Sequence, residues 1–484
     1  MIDTQSLKNK ILDLAIRGKL TRQLPDDGTA EELYEKIQAE KQALVEAGKI
    51  KKTKPLPDIG FDEIPFEIPK NWKWVRLQEL VTVLGDGIHG TPNYDENGEY
   101  YFVNGNNLLQ GKILIKPDTK RLSVLEYEKY KKELNESTVL VSINGTLGNL
   151  AFYNNERIIL GKSACYFNLL NKDFKKYIYY VLKSEYFLKY ANYSATGVTI
   201  KNVSLKAMNE FCIPMPPIAE QTRIVINIEK FFSEIDTIEK LQTQYAADAE
   251  ILKSKLIDAA IQGKLTEQLP SDGTAEELYQ QIQTEKQALI SAGKIKKEKP
   301  LKEIEEDEIP FEIPESWKWV RFGSISYIVR GGSPRPIKQY ITNDEDGINW
   351  IKIGDVEKGG KFILTTKEKI IPEGEKKSRK VYPGDFLLTN SMSFGRPYIS
   401  KIEGCIHDGW LLIHDYNGCY QDYLYYLLSS DYIYDQFTQK ASGSTVDNLN
   451  IDKVSDALIP LPPVSEQKRI AEKIAELMVE LIEK

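Results

Sequence analysis

Between Ile218 and Ile261, apolar or small residues recur at Ile224, Ile228, Phe231, Ile235, Ile238, Tyr245, Ala249, Leu252, Leu256 and Ala259, in steps that alternate four and three. One polar residue, Gln242, holds a place in the series. A spacing that averages about 3.5 predicts a long helix that supercoils along a partner, whereas an ordinary amphipathic helix would turn Leu241 inward instead. Such a helix reaches roughly 66 Å at about 1.5 Å per residue.

Its partner is written at the two ends of the chain. Pro460-Leu-Pro-Pro-Val-Ser-Glu-Gln467 repeats Pro214-Met-Pro-Pro-Ile-Ala-Glu-Gln221, and Ile470, Ile474, Leu477 and Leu481 follow it in the same steps. Leu7 to Asp13, which puts Leu7 and Ile11 on the seam, matches Leu252 to Asp258. The two termini together therefore rebuild a broken copy of the central helix. The expected fold class is α+β, as a pseudo-two-fold, circularly arranged repeat in which two α+β domains are separated by long antiparallel coiled-coil helices, one insert at each end.

The repeat continues beyond the helix. Residues 7 to 76 and 252 to 321 agree at roughly three positions in four. Thr29 with Glu32, and Thr274 with Glu277, form capping boxes that open helices over 29–47 and 274–292, closed by Gly48 and Gly293. Their faces are only moderately apolar, which predicts packing on the long coil. A lysine-rich linker, Lys49 to Lys54, reads as solvated chain. The expected segments are 1–76 (half-helix, capped helix, linker), 77–213 (first insert), 214–321 (central helical region, with the long helix 218–261), 322–459 (second insert) and 460–484 (C-terminal helix).

The inserts align poorly but share an order. Each opens on a glycine-rich loop, Gly85 to Pro92 or Arg330 to Pro336, and continues into strand-like runs, Tyr100 to Val103 or Ile348 to Ile353. A β-rich run and tight turn follow, Thr138 to Ile143 into Asn144-Gly145, and Asp385 to Thr389 into Ser391 to Gly395. Tyrosine-rich helices, Tyr177 to Leu182 and Tyr423 to Leu428, precede polar loops at Ser194 to Lys201 and Ser442 to Asn450. One fold with two different surfaces is expected.

Composition adds limits. The chain has 484 residues, 41% hydrophobic and 28% charged, without an apolar run of membrane-spanning length, so a cytoplasmic protein with no membrane partner is expected. Cys165, Cys212, Cys405 and Cys419 show no metal-ligand spacing and read as free thiols. The net charge of −7 lies on the frame, while the inserts are close to neutral. Charge therefore decides neither for nor against nucleic acid.

Catalytic motifs are missing: no phosphate loop, dinucleotide fingerprint, zinc-protease helix or nucleophile elbow occurs. The three histidines, His89, His407 and His414, do not recur between inserts, and no catalytic or metal-binding residue is assigned. What the loops do carry is side chains able to read base edges. In the first insert these are His89, Thr91, Asn104, Asn106, Asn107, Asn144, Thr146 and Lys201. In the second they are Arg330, Arg335, Lys338, Lys352, Asn390, Ser391, Arg396 and Asn448.

The doubled P-x-P-P-x-x-E-Q motif, each copy closing a divergent domain and opening a long helix, resembles the specificity subunit of type I restriction-modification systems. That resemblance implies two target-recognition domains, each reading one half of a bipartite, asymmetric site in double-stranded DNA. It also implies two docked methyltransferase subunits that use S-adenosylmethionine, two restriction subunits that translocate with ATP and Mg, and no catalysis or cofactor on this chain. The capped helices lie outside the family's minimal plan and are taken to enlarge the methyltransferase dock. The coil would then act as a ruler between half-sites. A two-headed scaffold for proteins or sugars is the alternative, and a self-contained modification enzyme comes after it.

Overall fold

The computed structural model describes residues 1–197, 200–357, 359–390, 395–416, 418–439 and 449–483, which divide into two compact units, Met1–Thr243 and Gln244–Lys484. The long helix spans Ile218–Ile261 and passes from one unit into the other. Pro216 and Pro217 block its extension backwards. It stops at Gly263, whose φ of +71° suits glycine alone and where a Cβ would lie 2.4 Å from the Pro314 ring.

In the first unit the helix Thr4–Ile16 runs antiparallel to the long helix: Lys8 reaches Asp236 at 2.6 Å, the Gln242 amide donates to the Ile2 carbonyl at 3.3 Å, and Thr21 lies at Glu220. In the second, the helix Val464–Glu483 does the same, with the Tyr245 hydroxyl donating to the Leu481 carbonyl at 3.0 Å. Ile224, Ile228, Ile235, Ile470 and Ile474 are buried, and Phe231, Ile238 and Leu477 half-buried. Gln242 faces its neighbour while Leu241 is exposed, as the 3.5-residue spacing requires.

The other end of the expected seam needs correction. Tyr245, Leu252 and Leu7 are exposed, and Leu256 and Ile11 only half-buried. The buried positions there are Ile257, Ala260 and Ile261, and in the other copy Leu12, Ala15 and Ile16. At these ends the helix packs on domain side chains such as Trp317 or Trp72 as well as on another helix. A broad face with the 3.6-residue period of a globular helix replaces the narrow seam.

Each insert is fastened at its mouth by a short antiparallel pair, Lys73–Arg76 with Cys212–Met215 and Lys318–Arg321 with Leu458–Leu461. Inside the first lies a four-stranded sheet in the order Val81–Asp86, Ala164–Leu169, Thr138–Ser142, Leu150–Phe152. A second sheet joins Arg121–Leu122, Tyr100–Val103 and Ile158–Leu160. The second insert keeps the same sheet centre, Ser326–Arg330, Trp410–Asp415, Phe386–Thr389 and Pro397–Ser400, and adds Phe362–Ile363 at its edge. The tyrosine-rich helices are Lys175–Lys183 and Gln421–Leu428, and the hydroxyls of Tyr177 and Tyr423 donate to the carbonyls of Pro214 and Pro460. Among the described residues no helix is long and apolar enough to cross a membrane.

The capped helices, Ala30–Glu46 and Ala275–Ser291, carry the expected capping boxes but do not lie on the coil. Each packs on the first turn of its own insert: the Tyr34 hydroxyl donates to Glu79 and Gln38 to the Glu79 carbonyl, and Gln283 and Lys286 donate to the carbonyls of Ser324 and Gly323. Ile37 in one copy, and Leu278 and Ile282 in the other, join the core of the same unit, and the polar contacts to backbone carbonyls fix the helix beside the insert. The turn before it holds the coil instead, where Arg223 forks onto Asp27 and Arg469 onto Asp272 at 2.6 to 2.8 Å.

The motif glutamates explain why the frame recurs. Glu220 is fully buried and accepts from the Trp72 indole (2.8 Å), the Thr21 hydroxyl (2.9 Å) and the Gln23 amide (2.8 Å). Glu466 is buried on the equivalent trio, Trp317, Thr266 and Gln268. Glu220→Ala strands three donors, so we expect the first unit to lose about 3 kcal/mol or more in urea unfolding. Glu466→Ala should weaken the second unit alike, and the losses should add because the sites share no partner. An unchanged unfolding midpoint would contradict this assignment.

Candidate nucleic-acid interface

In the first domain the strand ends bring four loops together. The Ile88 N–H donates to the Leu160 carbonyl, Ile143 to Ser163, Gly145 to Lys201 and Val203 to Ile143. The glycine-rich loop can approach so closely because Gly87 lacks a Cβ, which would lie 2.0 Å from the Leu160 oxygen. These loops enclose a cleft of about 400 Å³ whose polar wall is Asp86, His89, Asn144, Lys162 and Asn202. His89 pairs with Asp86 at 2.6 Å, and the Asn144 amide donates to Asn202 at 3.0 Å.

Not every candidate is free to meet a ligand. Asn107 is buried, and its amide donates to the Leu114 carbonyl and the Thr119 hydroxyl while its oxygen accepts from the Asn104 N–H. This corrects its reading as a base contact: it braces a turn. Asn104 accepts from the Ser163 hydroxyl and braces the neighbouring loop. Thr91, Asn106 and Thr146 are exposed, and Lys201 is exposed with its ammonium on Asn192.

The second domain gathers its candidates around one loop, His407 to Gly409. The Asp408 carboxylate accepts from the Ser333 hydroxyl (2.7 Å) and Arg335 (3.1 Å), and its backbone carbonyl accepts from Arg330 Nε (3.0 Å) and the Asn390 amide (2.8 Å). The Ser333 bond, above all, holds the Asp408 carboxyl below its usual pKa, and it stays ionised. Burial lowers the pKa of His407, whose Nδ1 lies 2.7 Å from the Gly409 N and Nε2 3.1 Å from the Ile353 N; the neutral ring accepts from one of the two N–H groups. Asn390 is buried, and among the described residues its side-chain oxygen has no hydrogen-bond partner. Lys352 is half-buried, with its ammonium 2.7 Å from Glu368. Lys338 is exposed, Arg396 half-buried, and Ser391 and Asn448 lie outside the described residues.

Lys162, Asn202, Ser333 and Asp408 were not legible as site residues. Only strand register brings them to the same loops, although short turns with glycine, Gly161-Lys-Ser163 and His407-Asp-Gly409, were a local signal. Catalytic chemistry gains no support. Among the described residues no cluster of His, Cys, Asp or Glu could hold a metal, and burial raises the pKa of the Cys165 thiol far above its ordinary value.

Comparison with known proteins finds a family and several relatives. The family described as "Type I restriction modification DNA specificity domain" matches residues 69–245 and 314–484. The EcoAI specificity subunit of Escherichia coli is 30% identical over 68% of this chain and 63% of its own length, and the EcoEI specificity subunit of the same organism 28% identical over 97% and 88%. Two solved structures share the fold. One chain, from a structure on complex assembly and conformational transition of the type I R-M system, has a TM-score of 0.58 at 18% identity over 86% of this chain and 93% of that one. The HsdS subunit from Thermoanaerobacter tengcongensis has a TM-score of 0.52 at 17% identity over 87% and 94%.

The two kinds of asparagine separate in a simple comparison. Asn107→Ala should lower stability by about 1 to 3 kcal/mol, because it leaves buried polar groups unpaired. Asn106→Ala should stay within about 0.5 kcal/mol of the parent. Thermal unfolding of the two variants measures both, and equal effects would remove the distinction.

Proposed function

The chain belongs to the type I restriction modification DNA specificity family, and from that premise we propose that its two domains read the two halves of a bipartite, asymmetric site in double-stranded DNA. Its role in the family is specificity rather than catalysis. The observation that carries the reading is the matched gathering of donor and acceptor side chains on equivalent loops of the two domains. Asparagine amides can bond adenine edges, and arginine guanidiniums guanine edges, in the major groove.

Two methyltransferase subunits dock on the duplicated frame, and two restriction subunits complete the complex. S-adenosylmethionine, ATP and Mg belong to those partners, and none is held by this chain. The outer faces of the capped helices enlarge the methyltransferase dock. The partners also supply the positive surface that this acidic chain lacks, and the complex acts in the cytoplasm.

Co-expression with a methyltransferase subunit of the same system, followed by single-molecule mapping of adenine methylation, tests the reading. A two-part asymmetric motif with a fixed gap is expected. A stable complex that leaves no motif would overturn it in favour of a protein- or sugar-binding scaffold. Independently, DNA affinity of the complex should fall steeply as salt rises, since phosphate contacts release counterions.

The unbroken helix is the ruler. One heptad added to the long helix and to its antiparallel partners lengthens it by about 10.5 Å. The gap in the methylated motif should then grow by roughly three base pairs at about 3.4 Å each. An unchanged gap would rule the helix out as the spacer.

A further inference from the structure

Strand register aligns the two domains residue by residue where their sequences do not. Asp86 sits opposite Cys165, which on its other side faces Val141. Arg330 sits opposite Leu411, which on its other side faces Leu388. Asp86 and Arg330 therefore hold the same place at the end of the same strand. Three residues before Cys165 and Leu411 stand Lys162 and Asp408.

Loop contacts confirm the match. The N–H of Ile143 donates to Ser163 as that of Asn390 does to Gly409, and Ile88 donates to Leu160 as Gly332 does to Ile406. A Cβ on Gly87 would lie 2.0 Å from the Leu160 oxygen, and one on Gly331 would lie 2.1 Å from the His407 oxygen. The backbone frame is thus conserved across the two copies while the charges trade places: an acid and a base at 86 and 162 become a base and an acid at 330 and 408. The surroundings of the second two positions differ as well. Asn390 replaces Ile143 at the buried position and spends its amide on the Asp408 carbonyl, which also accepts from Arg330.

We propose that these two positions determine the specificity of each domain, Asp86 and Lys162 in the first and Arg330 and Asp408 in the second, and that their inverted order of charge makes the two domains read different base pairs. In the second domain Arg330 donates to guanine, and the Asp408 loop holds its guanidinium at Nε so that the terminal nitrogens remain available. In the first, Lys162 is the donor, and Asp86 is the acceptor that also holds His89. Arginine and lysine donate to guanine O6 and N7, while a carboxylate accepts from the exocyclic amino groups, so reversal of the order changes the preferred base pair. This inference rests on the DNA reading above and assigns residues to it.

Methylation maps of the complex with its methyltransferase subunit test it, with Asp408→Asn, Arg330→Ala and Lys162→Ala compared against the parent. The parent map decides the general reading first: without a two-part motif the DNA reading itself fails. Given a motif, Arg330→Ala should make one base pair of one half-site degenerate, with discrimination there falling on the order of ten- to a hundredfold; Asp408→Asn keeps the backbone carbonyl that holds Arg330 and removes the carboxylate acceptor, and should relax the same half-site. Lys162→Ala should relax one base pair of the other half-site only. Lys162 is exposed, so its variant keeps the test open if the second-domain variants fail to fold. An unchanged motif, uniform weakening at every position, or relaxation of one half-site by all three variants would overturn the assignment.

Discussion

A carboxylate buried without a bulk-water shell needs its full set of donors, and the frame of this protein is built around meeting that need twice. Glu220 and Glu466 each collect an indole, a hydroxyl and an amide from segments about 150 to 200 residues away in sequence. The indole belongs to the mouth of the insert, the hydroxyl and amide to the turn after the opposing helix. One side chain thus fixes the helix start, the helix partner and the domain entrance together. No member can change alone, because each change strands a buried polar group. That coupling accounts for a frame repeated almost unaltered around inserts that have diverged.

The inserts are free to differ because their own constraint is backbone register rather than side-chain identity. The paired strands and the glycine contacts at Gly87 and Gly331 set where the loops stand, and neither asks anything of the exposed side chains between them. A site built this way can exchange aspartate and lysine for arginine and aspartate without moving the chain.

What was legible in the sequence follows the same division. Repetition and local chemistry exposed the long helix, the capping boxes, the tyrosine-rich helices and the strands near Thr138 and Phe386, since each depends on nearby residues. The seam failed at Leu7, Tyr245 and Leu252, which are exposed and join no core, because a heptad pattern assumes one partner along the whole helix, whereas the buried face resumes at Ile257 and Leu12 against a domain as well. The capped helices were misplaced because their contacts run from side chains to backbone carbonyls, which leave no mark in an apolar pattern. Asn107 looked like a reader because a bracing asparagine and a reading one are the same residue. Lys162 and Asp408 stayed hidden because their equivalence exists only in register.

Net charge is a poor guide to such a protein for a related reason. Several of its arginines are consumed inside the frame: Arg76 on Glu63, Arg223 on Asp27, Arg321 on Glu308 and Arg469 on Asp272. These pairs brace the domain mouths and the turns beside the coil, and their charges cancel locally. The acidic excess then falls on the frame, while the recognition loops hold a few charges of both signs. Selectivity for a base edge needs a donor or acceptor at a defined place more than it needs positive potential, and potential can come from partners. An acidic chain with a rigid frame and sparse, well-placed loop charges is therefore compatible with reading DNA, because the frame supplies the placement and the loops supply the sign.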